Sequence, residues 1–172
     1  MRRRTPPGIK AKPAAGRKRR AAIQEQATAH EARQLACSEA LSRIGVSVGG
    51  LTPEAVIPAP GAEGFELVVE VRFAGPRSGA VSIGLSRGLT RQIGKTMAAV
   101  VDLEGRPVSA IEAAKEFGVA ITNDLLTVLF GLDVRFRISE VNAGSPRPLR
   151  GEVVIAQRFA EGFVALSAEF GL

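Results

Sequence analysis

The chain has 172 residues, of which 45% are apolar and 23% are charged. This length fits a single domain, and no apolar run approaches the ~18 residues that a membrane-spanning helix needs. One cysteine and one histidine cannot supply a Cys/His zinc site or an internal disulfide. We therefore expect a protein that does not span a membrane and that holds no metal or other cofactor.

The positive charge is concentrated at the start of the chain. Residues 1–20 carry nine of the 23 Lys and Arg side chains and no acidic one, which leaves 14 basic and 17 acidic residues in the remainder. The segment is also rich in Pro and Gly, so we predict a disordered basic tail at residues 1–20 and one α+β domain at residues 21–172. No apolar stretch follows the basic start, as a secretory signal would require, and this favours a cytoplasmic location.

Such a tail could attract nucleic acid or an anionic membrane surface, which makes an adaptor function one alternative. The tail contains no aromatic residue that would stack on bases, so sequence-specific nucleic-acid binding is not expected.

The periodicity of the remaining sequence predicts the following elements in chain order. Residues 21–44 predict a helix, followed by a short strand at 46–48 and an irregular segment at 49–64 that is rich in Pro and Gly. Alternating apolar residues predict two hairpins, at 65–85 and 152–170. Between them we predict helices at 86–101 and 108–130 and a strand at 134–138. This order predicts an antiparallel sheet that the long helices cover on one face.

Two short matches indicate an internal duplication. Arg72, Phe73 and Ala74 recur as Arg158, Phe159 and Ala160 at an offset of 86, and residues 41–48 parallel residues 129–136 at an offset of 88. Each half then consists of a helix, a strand and a hairpin. We predict that the two halves share one sheet about a pseudo-twofold axis.

The helix predicted at residues 108–130 has two distinct faces. At 100° per residue, Glu112, Glu116, Val119 and Asn123 lie within about 60° of one another. A solvated helix face without a function is the alternative to a binding site here. The opposite side is predicted to face the core and contains Ile111, Ala114, Gly118, Ile121, Leu125, Val128 and Leu129.

The sequence VSAIEAAKEFGVAITNDLLTVLFG at residues 108–131 resembles the second long helix of the CheC/CheX chemotaxis phosphatases. The strand and helix at residues 79–97 and the duplicated layout also fit that family. The resemblance implies a CheC/CheX-like fold for residues 21–172 and a role in chemotaxis or two-component signalling. The implied partner is a response-regulator receiver domain or a motor-switch-like protein, and a homodimer is left open.

In that family an Asp or Ser, a Glu four residues later and an Asn three residues beyond form the active stripe. The Glu binds a lysine of the response regulator, and the Asn orients the water that attacks the aspartyl phosphate. By this resemblance, Glu112 and Glu116 occupy the first two positions, while Val119 replaces the Asn. Asn123 lies one turn further along the helix.

An isopropyl group can neither donate a hydrogen bond to water nor accept one. We therefore predict that Glu112, Glu116 and Asn123 bind a partner and that phosphatase activity is inefficient. The alternative is an active phosphatase in which Glu116 with Asn123, or Gln34 of the Glu-x-x-Gln sequence at residues 31–34, takes part in catalysis.

Overall fold

A computed structural model of the chain describes residues 14–101, 108–149, 151 and 153–171. In this part of the chain, no helix is long and apolar enough to cross a membrane. The elements are α1 (Ala14–Ser47), β1 (Pro53–Ile57), a short 3-10 helix (Ala62–Gly64), β2 (Leu67–Ala74), β3 (Gly79–Leu85), α2 (Arg87–Val101), α3 (Ala110–Phe130), β4 (Arg137–Gly144), β5 (Val153–Phe159) and β6 (Gly162–Phe170).

The chain divides into two compact units, Met1–Ala32 and Arg33–Leu172. In the first unit the structure describes the N-terminal part of α1, in which residues 24–32 are exposed. Residues 14–20, which we predicted as part of the disordered tail, are helical, because their Ala, Lys and Arg residues extend a helix that is already formed. The rest of the predicted tail, residues 1–13, lies outside the described residues.

The second unit contains one six-stranded antiparallel sheet with the strand order β1-β5-β6-β3-β2-β4. Both predicted hairpins, β2–β3 and β5–β6, belong to this sheet, which confirms the α+β prediction. The strand order is symmetric about its centre. Outward from the β3–β6 pair, β2 is matched by β5 and β4 is matched by β1.

The register of the strands shows the duplication residue by residue. In the β3–β6 pair Ile83 lies opposite Leu166, and each outer strand, β1 and β4, has one extra residue relative to its neighbour. In β1 that residue lies opposite Arg158 and Phe159, and in β4 it lies opposite Arg72 and Phe73. The repeated Arg-Phe pairs therefore occupy equivalent places beside the two bulges, which confirms the predicted pseudo-twofold layout.

All three helices contribute to one hydrophobic core on one face of the sheet. Alternate residues of β2 and β3 face this core, as the period of two requires. Among the residues that the structure describes, the opposite face carries a smaller apolar cluster around Phe65, Val68, Ala156 and Ala165. The main core includes Cys37 and Leu41 of α1, Val69, Val71 and Phe73 of β2, Ile83 of β3, Leu89 and Ile93 of α2, and Phe117, Ile121 and Leu125 of α3.

Two predicted strands are placed differently in the structure. The strand predicted at residues 46–48 is wrong, because α1 continues to Ser47 and Val48 still donates a backbone hydrogen bond to Ile44 O at 2.9 Å. The first strand of the sheet, β1, lies instead within the segment predicted to be irregular. The strand predicted at residues 134–138 begins at Arg137, and Phe136 packs against Phe130 just before it.

Candidate functional site

The N-terminus of α3 is closed by a capping box. Ser109 Oγ accepts a hydrogen bond from Glu112 N at 3.2 Å, and Glu112 Oε2 accepts one from Ser109 N at 3.0 Å. This pair satisfies two backbone donors of the first turn. Glu112, which we predicted as a partner-binding residue, therefore has a local structural task. The Ser-x-x-Glu sequence is the signal that would have revealed it.

The predicted polar stripe of α3 faces away from the sheet. Glu116 and Asn123 are exposed, and Val119 between them is half-buried and packs against the main core. By helical geometry, Glu116 and Asn123 differ by about 20° around the axis and by about 10 Å along it. The helix thus presents a carboxylate and an amide along one line, with a small apolar contact between them.

Not every residue of the predicted core stripe is buried. Ala114, Gly118, Ile121 and Leu125 are buried, whereas Ile111 and Val128 are 51% and 37% exposed. The two exposed residues lie in the first and last turns of α3, where fewer neighbours cover the helix. The buried residues of α3 run from Ala113 to Leu126, so these turns hold the helix and its polar stripe against the core.

Close packing of Gly118 against β2 sets the distance between α3 and the sheet. A Cβ atom at Gly118 would lie 2.8 Å from Val69 Cγ1 and 3.4 Å from Val71 Cγ2. The absence of a side chain at this position therefore lets the helix backbone approach β2 directly. Glu116 lies on the opposite side of the same turn, about 200° around the axis from Gly118, so this contact also positions the candidate site.

An ion pair next to the stripe was missed by the sequence reasoning. Arg43 Nε of α1 lies 3.3 Å from Asp124 Oδ2 of α3, and the Asp124 side chain is largely buried. That oxygen accepts no hydrogen bond from the residues that the structure describes, so the contact is an ion pair of poor hydrogen-bond geometry. It ties α1 to α3 beside Asn123.

In the alternative catalytic pair on α1, the amide is less exposed than that of Asn123 on α3. Glu31 is exposed and belongs to the first unit, while Gln34 is half-buried and belongs to the second. An amide that positions a nucleophilic water must reach the partner's phosphate, so half-burial makes Gln34 a weaker candidate than Asn123.

A cavity of about 700 Å³ lies on the sheet face opposite the helices. Three of its charged groups pair with one another: Arg72 and Arg147 both bind the carboxylate of Glu70, and the bond to Glu70 raises the pKa of Arg72. Glu169 also lines the cavity. Arg147 belongs to the segment between β4 and β5, so the network fastens that segment to β2. Because both arginines of the cavity are paired with Glu70, we assign this cavity a structural role.

Comparisons with known proteins identify the fold. No family model matches the sequence, and a search of curated proteins finds no match. Among solved structures, CheX from Desulfovibrio desulfuricans superposes with a TM-score of 0.58 at 15% identity, over 80% of this chain and 98% of that one. The chain has a CheX/CheC-like fold.

Two further structures support this assignment. A CheC-like protein from Shewanella sp. PV-4 gives a TM-score of 0.59 at 13% identity, over 82% of this CheX-like chain and 98% of its own. A CheX from Borrelia burgdorferi, solved in a complex with CheY, BeF3 and Mg²⁺, gives a TM-score of 0.50 at 14% identity. The match covers 83% of this chain and 97% of that one. At these low identities the superpositions show the fold of the chain.

Proposed function

We propose that this CheX-like domain binds the receiver domain of a response regulator through the exposed polar stripe of α3, and that it hydrolyses the aspartyl phosphate slowly. The observation that carries the proposal is the exposure of Glu116 and Asn123 along one line of α3, with Val119 between them. The CheX that was solved in a complex with CheY shares this fold, which supports a receiver as the partner class.

Glu116 supplies the charge for recognition. Its side chain is exposed, and the structure gives it no ion pair with another described residue, so it is available to a lysine on a partner. Glu112 is a weaker candidate because its carboxylate already accepts two hydrogen bonds from Ser109. A lysine contact that is buried on binding is worth about 2 kcal/mol or more to the complex when one partner is truncated.

The same stripe accounts for slow hydrolysis. Phosphoryl transfer depends on positioning and on electrostatics, so the attacking water must be held in line with the phosphorus atom. Val119 contributes only apolar contact with the core and cannot hold a water. Asn123 lies about 6 Å further along the helix axis, where its amide would reach the phosphate only in a shifted docking pose.

The proposal is tested by measuring the affinity of the full chain for a BeF3-activated receiver domain carrying a fluorescent label. Glu116→Ala should raise Kd by about 30-fold, the equivalent of about 2 kcal/mol. Glu54→Ala removes an exposed glutamate of the edge strand β1 and should leave Kd unchanged.

Equal affinities of the Glu116→Ala variant and the wild-type chain would show that α3 is not the docking surface. No binding of any activated receiver would overturn the partner class itself.

A further inference from the structure

We propose that the turn after α3 is a membrane-surface contact, in which Leu132 enters an anionic bilayer and the arginines around it bind lipid phosphates. This inference is independent of receiver binding, because the turn lies beyond the C-terminal end of the polar stripe. It rests on the exposure of one apolar side chain and on unpaired cations that the sheet topology gathers around it.

Leu132 is 87% exposed in the turn that follows Gly131, where α3 ends. Gly131 has a positive φ of 86°, and nothing lies within 4 Å of the place where its Cβ would be, so the turn projects into open space. Val128, in the last turn of α3, is also partly exposed. Single exposed apolar residues are common on protein surfaces, so Leu132 alone would carry no inference.

Three exposed arginines accompany Leu132. Arg135 is three residues away in the chain, and its backbone oxygen packs against Gly75 in the β2–β3 turn. The same turn contains Arg77, and Arg137 pairs with Ala74 at the end of β2. Sheet pairing thus brings cations from two distant segments to one end of the domain.

These arginines are available for a ligand. None of the three forms an ion pair with another residue that the structure describes. This contrasts with Arg72 and Arg147, which share Glu70 on the open sheet face. Residues 21–172 carry a net charge of −3, so a group of unpaired arginines at one end of the domain differs from its acidic overall charge.

An anionic bilayer matches this combination. A projecting leucine enters an apolar medium that deforms around it, and flanking arginines gain from the negative surface potential of the leaflet. An acidic protein would need a preformed pocket for the leucine. Nucleic acid would leave the aliphatic leucine in water. The neighbouring rings of Phe130 and Phe136 are half-buried and pack against each other at a tilt of 48°, so they are not free to stack on bases.

The chain contains no Trp and no Tyr, so a single introduced tryptophan reports on its own position. In the full-length Leu132→Trp variant, vesicles of phosphatidylcholine with 30% phosphatidylserine should shift the emission to shorter wavelength, and pure phosphatidylcholine should not. The matched control is Val46→Trp, which replaces a residue of α1 that is 52% exposed and should show no shift. This readout separates entry of the turn from mere recruitment by the basic residues 1–20.

A second set of variants tests the cations. Replacing Arg77, Arg135 and Arg137 by Gln should lower the vesicle partition coefficient by on the order of 100-fold, since each surface cation contributes about fivefold. Replacing Arg91 and Lys95, two exposed cations of α2, should change it far less.

The proposal is overturned if the L132W emission is unaffected by anionic vesicles, shifts equally with neutral ones, or shifts no more than that of V46W. A partition coefficient that is unchanged by the triple arginine replacement would also overturn it. An L132W shift produced by an acidic protein but not by vesicles would assign the surface to a protein partner instead.

Discussion

Two glycines in helices provide a matched test of how closely α3 packs against the sheet. Gly118 lies in α3 against the sheet, and Gly94 lies in the middle of α2. A Cβ at Gly118 would be 2.8 Å from Val69 Cγ1, whereas a Cβ at Gly94 would meet nothing closer than Ala110 at 3.8 Å. An alanine methyl group would therefore overlap a buried side chain at Gly118 of α3, whereas at Gly94 of α2 it would lie at an ordinary van der Waals distance.

The expected effects have opposite signs. Gly→Ala in a helix interior gains about 1 kcal/mol of helix propensity at either position. At Gly118 the new methyl group overlaps a fully buried β-branched side chain in a strand, which has little freedom to move, and overpacking of this kind costs about 2–3 kcal/mol. Gly118→Ala should therefore destabilise the protein by about 1–2 kcal/mol, and Gly94→Ala should stabilise it by about 0.5–1 kcal/mol.

Urea unfolding followed by circular dichroism measures both changes in one assay. A difference of about 1.5–3 kcal/mol between the two variants corresponds to a difference in midpoint of about 1 M, because the urea dependence for small proteins is about 1–3 kcal/mol per M. If Gly118→Ala is as stable as the wild-type chain, α3 does not approach β2 as closely as the structure describes. The placement of Glu116 relative to the sheet would then have to be revised.

Further outcomes are expected for Val119, Ser109 and Cys37. Val119→Asn should accelerate dephosphorylation of a bound receiver by up to ~100-fold, measured as phosphate release, and should lower the free energy of unfolding by about 1 kcal/mol. Rapid hydrolysis by the wild-type chain would contradict the proposal that Val119 leaves the stripe without a water-positioning group. Ser109→Ala should lower the free energy of unfolding by about 1 kcal/mol in the same urea assay, because it removes the cap of α3, and an unchanged midpoint would refute the capping role. Burial raises the pKa of the Cys37 thiol from 9.0 to about 12, so the folded protein should not react with a thiol reagent at pH 8. The unfolded state loses this proton first, so the stability that the neutral thiol contributes is present below pH 9 and falls by up to about 1.4 kcal/mol per pH unit towards pH 12.

The elements with a clear period could be predicted from the sequence alone. Residues 65–73 alternate between apolar and other side chains, and the alternation matches the inward and outward faces of β2 in the structure. The Arg-Phe repeat predicted the duplication, and the register places both copies beside equivalent bulges. Such patterns are readable because the repeat of a strand or helix relates sequence spacing to one face without knowledge of the neighbours.

The candidate site could be predicted only in outline. The helical spacing of α3 was sufficient to group Glu116, Val119 and Asn123 on one side. Only the structure showed that Val119 is half-buried and that Asp124 faces Arg43 of α1. Both depend on which neighbour lies against each side of the helix, and the period of the helix carries no information about that.

The first strand and the end of α1 were decided by tertiary structure. Pro53 and the surrounding glycines made residues 49–64 appear irregular, and the β-branched residues at 46 and 48 resembled a strand. In the structure β1 is an edge strand that pairs with β5 on one side only, so a proline is tolerated where a central strand would lose a hydrogen bond. Whether a segment lies at an edge depends on the order of all six strands, and that order is set by packing between residues far apart in the chain.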